Sequence, residues 1–369
     1  MSAPPMTPAQ AIMCLSFSPG IGAVAYWRLI SHFGDAAAAC AASEKALRQV
    51  TGLGEKQRQA VAAAVSLLPT VCAEEERLAK LGGVCIGHNQ PEYPEELLHL
   101  TDPPPILYAL GDISLLRKRA VAVVGARAAS SYGRRMAATL AKGLAERVVV
   151  VSGMALGIDG EAHAGALAAD GKSIGVLGCG LDVVYPSANA RLFTAMREKG
   201  LLVSEYPLGT QPESFRFPAR NRIIAGLGQA VVVVEAARRS GALITAQMAL
   251  DIGREVFAVP GQADSAKSAG CHELLRQGAT IALTADDLLA TLDSVSARKP
   301  AITDREEIIL TDEQAAVLAL LESYPQSREE ILARSGLSAA RFGEILVYLE
   351  LEGLLESVPG DMLRRLPAG

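Results

Sequence analysis

The sequence has little that would point to a metal centre, a disulfide framework or a membrane segment. Its six cysteines are scattered along 369 residues, with no Cys-x-x-Cys pair and no cysteine–histidine cluster. This spacing excludes the usual zinc patterns and favours reduced thiols in a cytosolic protein. No basic segment followed by an apolar one opens the chain, so no signal peptide is predicted. Since no apolar run approaches the ~20 residues that span a bilayer, we expect a cytoplasmic protein without membrane insertion.

An overall excess of positive charge is also missing. Lys and Arg number 35 against 40 Asp and Glu, a formal net charge of -5. Any nucleic-acid surface must therefore be a local patch. Residues 301–369 are more acidic still, with 6 Arg and no Lys against 13 Asp and Glu, which leaves the rest of the chain at +2.

The chain is too long for one average domain, and its pattern changes three times. Residues 1–85 are predicted to form short helices, punctuated by Pro19-Gly20-Ile21-Gly22 and Thr51-Gly52-Leu53-Gly54. An apolar residue between glycines before a helix is typical of a helix-hairpin-helix or SAM-like domain, whose free amides can face a DNA phosphate. A plain helical turn is the alternative.

Short Val-rich runs recur between residues 86 and 290. They cover residues 120–124, 148–151, 174–177, 201–203, 230–234 and 256–259, separated by helical stretches such as 133–146 and 242–253. Continuous apolar runs suit parallel strands buried on both faces, and their alternation with helices predicts right-handed crossovers. The expected fold class is α/β, with a Rossmann-like, doubly wound and mostly parallel sheet flanked by the helical domain and a C-terminal winged helix.

The last two segments are a polar linker, residues 291–311, and a winged-helix domain, residues 312–369. Two helical patterns follow the linker, Ser327 to Glu330 forms a capping box, and a small hairpin closes the chain. A winged helix normally reads duplex DNA, but phosphates repel an acidic module. We therefore favour a protein-interaction or structural role for this domain over duplex regulation.

Polar groups follow several of the predicted strands. Arg127 and Ser130 come after the first strand, Ser152 and Gly153 end the second, and Ser240-Gly241 open a helix. Because ligands bind at the carboxyl ends of parallel strands and at helix N-termini, these hydroxyls, amides and guanidinium groups should converge on one rim. The Gly-x-Gly-x-x-Gly pattern of a dinucleotide site is absent.

The most informative segment runs from Phe215 to Arg222 and holds three arginines and two aromatic residues. Arginine neutralises phosphates and an aromatic face stacks on an unpaired base, the combination that sequence-independent binding of a single strand requires. The alternative is that the aromatic residues are core and that Arg220 forms buried ion pairs.

Catalytic patterns are weaker. Asp159, Glu161 and His163 suggest acid–base chemistry, but their spacing favours an N-cap at Asp159 and a first helical turn. Cys179 lies between glycines without an identifiable activating histidine. We therefore assign no catalytic residue and expect neither a cofactor nor a metal. An enzyme that hydrolyses nucleotide N-glycosidic bonds remains the alternative, with Glu205 and Glu235 as its candidate residues.

Together these segments resemble the DprA/Smf family. The resemblance covers about residues 90–285 and is carried by VAVVGAR, SGMALGIDGEAH, FPARNRIIAGL and VVVVEAARRSGALITA. It implies a Rossmann-like domain that binds single-stranded DNA, dimerises, protects incoming DNA and loads the RecA recombinase during natural transformation.

The resemblance also implies roles for single residues. It places in the DNA pocket Arg127, Ser152, Gly153, Phe217, Arg220, Arg222, Ser240 and Gly241, to which the strand-end pattern adds Ser130. The family often has a lysine three residues before the aromatic residue, where this chain has Ser214, and Arg216 is the candidate to replace it. Leu274 and Leu275 fall where family dimer and RecA contacts lie.

Overall fold

The computed structural model describes residues 6–298, 310–322, 324–358 and 360–366. Most of the predicted linker, residues 299–309, lies outside this description. These described residues divide into two compact units, one drawn from residues 1–28 and 36–296 and the other from residues 29–35 and 297–369.

A nine-stranded sheet is the centre of the first unit. Its strands lie in the order β1-β2-β6-β5-β4-β3-β7-β8-β9. β1 pairs antiparallel with β2, and β2 with β6, whereas all other neighbours are parallel. The strands are β1 (Gly83–Gly87), β2 (Ile106–Gly111), β3 (Ala120–Val124), β4 (Val149–Ser152), β5 (Ser173–Leu177), β6 (Leu201–Ser204), β7 (Ala230–Val233), β8 (Glu255–Ala258) and β9 (Thr280–Ile281).

Thirteen helices lie within residues 6–298, and those that follow β3 cover both faces of this sheet. They are α1 (Pro8–Phe17), α2 (Ala23–Phe33), α3 (Ala36–Cys40), α4 (Glu44–Leu47), α5 (Glu55–Ala62), α6 (Leu68–Leu81), α7 (Ser131–Leu144), α8 (Ile158–Ala168), α9 (Ala190–Lys199), α10 (Arg216–Leu227), α11 (Gly241–Asp251), α12 (Ala269–Arg276) and α13 (Ala285–Arg298). Short 3-10 helices lie at Ala64–Leu67, Glu95–His99, Ile113–Arg117 and Ser187–Asn189.

The apolar runs are continuous because successive strand residues face opposite layers. In β3, Val121 and Val123 pack with α7, α8 and α13, whereas Ala122 and Val124 pack with α10, α11 and α12. Both layers exclude water, so β3 carries only apolar residues on its two faces.

The order of the strands fixes where a ligand can bind. From β3 the chain moves outward through β4, β5 and β6, and then returns to place β7 on the other side of β3. The crossovers above β3 and β7 therefore leave in opposite directions and open a crevice between them. Val124 lies opposite Val233, so both strands end at the same level.

All six predicted strands of the α/β region are present, within one residue at each end. The antiparallel pair β1 and β2 and the short edge strand β9 were not predicted. Residues 101–111 were interpreted as an extended entry, and β2 forms in their second half, where the proline run ends.

The two predicted glycine hairpins are turns with left-handed glycines, Gly20 at φ +78° and Gly52 at φ +76°. α2 and α5 follow them. Arg28 of α2 donates to the Gly52 carbonyl and Gln57 of α5 donates to the Gly20 carbonyl, both at 2.8 Å. Each hairpin is thus held by a side chain from the helix that follows the other. A contact between these hairpins and DNA stays a prediction.

The second unit has the three helices and small sheet of a winged helix. α14 (Asp312–Leu320), α15 (Arg328–Ser335) and α16 (Ala339–Leu351) pack around Ile331, Phe342 and Leu349. β10 (Gln326–Ser327), β11 (Leu355–Val358) and β12 (Met362–Arg365) form the sheet, in the order β10-β12-β11. The predicted capping box at Ser327 is wrong in detail, because Ser327 is the N-cap of α15 but its side chain makes no capping hydrogen bond.

Over the described ranges, no helix combines the length and apolarity needed to cross a bilayer. The same residues hold no group of three or more His, Cys, Asp or Glu side chains suited to a metal ion. None of the six cysteines, all within the described ranges, forms a disulfide, and four of them are buried.

Candidate functional site

A groove of about 1110 Å³ opens at the carboxyl ends of β3 and β7, at the switch point of the sheet. One wall is the helical face of α10 that carries Phe217, Arg220, Asn221 and Ile224. The other walls are the turn after β3, the loop after β4 and the start of α11, which contribute Gly125, Arg127, Ala155, Asp159, Ser240, Gly241, Ala242 and Thr245.

An aromatic stack lies in this groove. The Phe217 ring packs on the Tyr185 ring, with centroids 5.5 Å apart and planes 24° from parallel. The Arg127 guanidinium lies 5.0 Å from the Phe217 centroid. Tyr185 is 41% exposed and Arg127 is also exposed. A flat apolar surface and an exposed positive charge are thus presented side by side to solvent.

Arg220 supplies a second positive charge beneath the stack. It is only 3% exposed, and its Nη1 donates to the carbonyls of Gly153 and Val176. Burial lowers the pKa of Arg220 to about 10, against the opposing effect of the Asp159 carboxylate, and Arg127 lowers it further. Arg220 therefore fixes the loop after β4 and remains a cation close to Arg127.

The start of α11 closes the groove. Ser240 is the N-cap, and its hydroxyl accepts from the Ala242 amide. Gly241 has open space where a Cβ would project. The positive end of an eleven-residue helix therefore faces the groove beside Arg127, which favours an anion there.

A smaller cavity of about 470 Å³ continues behind the aromatic stack. Met154, Leu156, Leu177 and Cys179 line it, so it is largely apolar. Burial raises the pKa of the Cys179 thiol to about 11. This thiol remains protonated near neutrality and is not a nucleophile of the kind weighed from the sequence.

Several predicted pocket residues are used inside the protein instead. Ser152 is buried and its hydroxyl donates to the Val123 carbonyl at 2.6 Å. Ser130 caps α7 and donates to Glu235 through both its hydroxyl and its amide. The Gly153 amide, expected to be free, is bonded to the Asp159 carboxylate. Gly153 still lines the smaller cavity, whereas Ser130 and Ser152 do not border the groove.

Arg222 is not placed in the groove. It is 7% exposed and forms a two-pronged ion pair with Glu205, at 2.8 and 2.6 Å, and a second with Asp102 at 3.2 Å. Arg216 also points away, donating to the Gln211 carbonyl and pairing with Glu213. The sequence left open that Arg220 forms buried ion pairs, and in the structure it is Arg222 that forms them.

The two glutamates proposed for the enzymatic alternative are also bonded to other residues of the protein. Glu205 is held by Arg222, and Glu235 accepts from Ser130 and is 3% exposed. Neither carboxylate borders the groove.

The segment after β4 differs from the sequence prediction. The N-cap of α8 is Gly157, not Asp159, which lies at the second helical position. Asp159 instead accepts from the Ala155 and Gly153 amides beside Arg220, and burial raises its pKa. His163 is fully buried, with Nδ1 bonded to the Ser173 hydroxyl at 2.7 Å, and burial lowers its pKa to about 3. His163 is therefore a packing residue, whereas Asp159 holds the loop after β4 and borders the groove.

The two leucines predicted to form dimer or RecA contacts lie in different environments. Leu274 is 7% exposed and packs in the core of its own chain, whereas Leu275 is half-buried on α12. Leu274 is therefore not available as an exposed apolar contact.

Sequence reasoning missed Tyr185, Asn221 and Thr245 as groove residues. Tyr185 follows β5 and so lies at the same carboxyl edge as Arg127, a signal that could have included it. Asn221 is four residues after Phe217 on a helix, and that spacing places both on one face.

Comparison with known proteins decides the family. A profile described as DNA recombination-mediator protein A matches residues 84–293, and a DprA winged-helix profile matches residues 301–361. The chain belongs to the DNA recombination-mediator protein A family. The family is one of recombination mediators rather than of enzymes, and the similarity extends well beyond the groove.

Relatives of this family match over different lengths. Protein Smf of Synechocystis is 33% identical over 94% of this chain and 96% of its own length. The DNA processing protein DprA of Streptococcus pneumoniae is 47% identical over 54% of this chain and 71% of its own length. The X-ray structure of the Streptococcus pneumoniae protein covers 78% of this chain and 98% of its own, with a TM-score of 0.70 at 35% identity.

A second similar solved structure comes from a relative that is described by the ligand it binds. It is the DNA processing protein A of Helicobacter pylori, which is described by its single-stranded DNA binding mode. It is 31% identical and covers 58% of this chain and 96% of its own, with a TM-score of 0.53.

Proposed function

We propose that this protein binds single-stranded DNA in the groove above β3 and β7, without strong sequence preference, and protects it for recombination. The observation that carries the proposal is the stack of Tyr185 and Phe217 beside the exposed Arg127. An unpaired base can stack on these rings while a neighbouring phosphate meets the guanidinium.

The arrangement favours a single strand over a duplex. Bases in a duplex are already stacked, so an aromatic platform gains little from them, whereas every unpaired base offers a π face. Arg127 and the start of α11 supply positive charge to the backbone, which carries no sequence information. The binding energy would then depend on strand state and salt rather than on base identity.

The test is fluorescence anisotropy with a labelled oligo-dT and the full-length protein. Arg127→Ala should weaken binding at least several-fold, because it removes a phosphate partner beside the aromatic stack. Lys118→Ala is the matched control, since it removes one exposed positive charge just before β3, at the opposite edge of the sheet. It should leave the affinity within about twofold. If Arg127→Ala bound oligo-dT with wild-type affinity, the groove would be ruled out as the DNA-binding site.

Family membership further supports a role in handing DNA to RecA, for which we propose a homodimer as the active form. Leu275 is half-buried on α12, and Ile281 at the β9 edge of the sheet is 48% exposed. Exposed apolar side chains at a sheet edge are suited to a self-complementary contact. Light scattering should show that the wild type is a dimer and that Leu275→Glu dissociates it. The assembly of RecA filaments on DNA coated with either protein is then measured. A monomeric wild type would contradict the dimer.

A further inference from the structure

A buried carboxylate on α6 lies outside the groove and has no part in the function proposed above. Glu74 is 5% exposed, although its helix neighbours Glu76, Arg77 and Lys80 are exposed. A buried charge is strongly unfavourable unless hydrogen bonds and an opposite charge compensate it. The partners of Glu74 therefore show what the carboxylate is for.

Those partners lie on a distant segment of the chain. The Leu208 amide donates to Glu74 Oε1 at 2.6 Å, and Arg77 Nη1 donates to Oε2 at 3.1 Å. Burial raises the pKa of Glu74, while the Leu208 amide and Arg77 act in the opposite direction. One oxygen thus holds the backbone after β6, and the other holds the arginine of its own helix.

Arg77 extends the network to a second loop. Its Nη2 lies 3.5 Å from Asp182 Oδ2, and Asp182 Oδ1 accepts the Gly209 amide at 2.7 Å. The two loops are also joined directly, because the Gly180 amide donates to the Thr210 carbonyl at 3.0 Å. Glu74 and Arg77 therefore tie the loop 178–186 and the segment 205–215 to one helix.

These two segments carry the walls of the groove. Tyr185 ends the first loop, and the second runs through Pro212 and Ser214 into α10, where Phe217 stands in the first turn. The separation of the stacked rings thus depends on segments that α6 holds in place. No other carboxylate of α6 is buried, which distinguishes Glu74 from the rest of the helix surface.

We propose that Glu74 is a positioning residue for the DNA groove, acting through the Leu208 and Gly209 amides and through Arg77 and Asp182. The proposal rests on the proposed function. Glu74 does not touch DNA. It sets the distance between the loops that present Tyr185 and Phe217, so the helical N-terminal segment helps to shape a site built on the sheet.

The experiment compares Glu74→Ala with Glu76→Ala, an exposed neighbour on the same helix, in the full-length protein. Hydrogen exchange of segment 205–215 should accelerate about tenfold in Glu74→Ala, since the Leu208 amide loses a charged acceptor. Affinity for oligo-dT should fall by roughly three- to tenfold. Both quantities should match the wild type in Glu76→Ala, and thermal unfolding reports whether each variant is folded.

Rescue by the conservative variant separates positioning from general loss of structure. Glu74→Gln keeps an oxygen for the Leu208 amide, so exchange and affinity should return most of the way to the wild type. If Glu74→Ala does not fold, Arg77→Ala at a half-exposed residue removes the link to Asp182. It should loosen the same segment and weaken oligo-dT binding.

The outcomes distinguish the two proposals. Unchanged exchange in folded Glu74→Ala, or faster exchange with unchanged oligo-dT affinity, overturns the positioning role even where the wild type binds tightly. Failure of the wild type to bind oligo-dT overturns the proposed function itself, and this result is known before any variant is compared.

Discussion

Phe217 is the residue at which the groove can be tested most directly. Its ring stacks on Tyr185 and under Arg127, so Phe217→Ala removes the platform without removing a charge. Loss of a stacking ring weakens binding by about 1–3 kcal/mol per base, so oligo-dT affinity should fall roughly 5- to 150-fold in an anisotropy titration. The slope of affinity against salt should be nearly unchanged, because no phosphate contact is lost.

Phe215→Ala is the control for Phe217. Phe215 lies two residues away, is 63% exposed, and does not border the groove. It should bind oligo-dT as the wild type does. Equal losses in the two variants would mean that the stack is not the binding platform.

Three arginines that the sequence assigned to one pocket occupy three environments. Arg127 is exposed, Arg220 is buried against carbonyls, and Arg222 is buried in an ion pair with Glu205. The helix α10 begins at Arg216 and contains both Arg220 and Arg222. With that start, helical spacing places Phe217 and Arg220 on one face and Arg222 on another. The position of Arg222 outside the groove could therefore have been predicted from the sequence, but only with the correct start of the helix.

We expect the buried His163 to make the stability of the protein depend on pH. Its Nε2 accepts the Met154 amide at 3.4 Å, its Nδ1 bonds to Ser173, and burial lowers its pKa from 6.5 to about 3. Below about pH 6.5 the unfolded chain binds a proton that the folded chain does not, so stability falls as pH drops from about 6.5 towards 3. The slope from one such proton is at most about 1.4 kcal/mol per pH unit.

His163→Gln should unfold at lower urea concentration at neutral pH, and its stability should change less between about pH 7 and pH 5. Urea unfolding at three pH values measures both effects. A replacement of the exposed His32 by Gln should leave the pH profile of the wild type. Parallel profiles for His163→Gln and the wild type would refute the assignment.

Among the elements, the central strands were predictable and the antiparallel edge was not. A strand buried on both faces requires an unbroken apolar run, and that requirement is visible in residues 120–124 or 230–233. β2 follows three consecutive prolines, which lack amide donors and masked a strand that begins at Ile106. Five of the six residues of β2 are buried, so the proline run, and not a weak burial requirement, hid this strand from the sequence prediction.

The junction of α7 and β7 leaves no room for a side chain at Gly133. Gly133 stands in the first turn of α7, and an added Cβ would lie 2.7 Å from Glu235 Oε2. Gly133→Ala should therefore displace the carboxylate that holds Ser130 and destabilise the protein by about 1–3 kcal/mol in urea unfolding. Gly241→Ala is the control, since nothing lies within 4 Å of its added Cβ. It should be neutral or slightly stabilising, and a neutral Gly133→Ala would show that the junction is not tightly packed.

For the whole molecule, the distribution of charge separates the two units. The described arginines of the winged helix are largely paired: Arg341 contacts Glu313 and Glu344 at 2.9 Å, and Arg364 contacts Glu356 at 2.6 Å. With residues 301–369 at a net -7, this unit offers phosphates little attraction. The groove, by contrast, combines Arg127, Arg220 and the start of α11 at one edge of the sheet.

Removal of residues 301–369 should therefore leave oligo-dT binding intact or tighter, because an acidic segment that repels the strand is lost. The remaining chain keeps the whole nine-stranded sheet and both of its core layers. Its log affinity should still fall linearly with log salt, by roughly 0.7 for each phosphate neutralised. Anisotropy titrations of both proteins across a salt series measure the two quantities together. The truncated protein could instead lose oligo-dT binding while circular dichroism shows that its fold is retained. That result would show that the DNA-binding site lies in the winged helix, despite its negative charge.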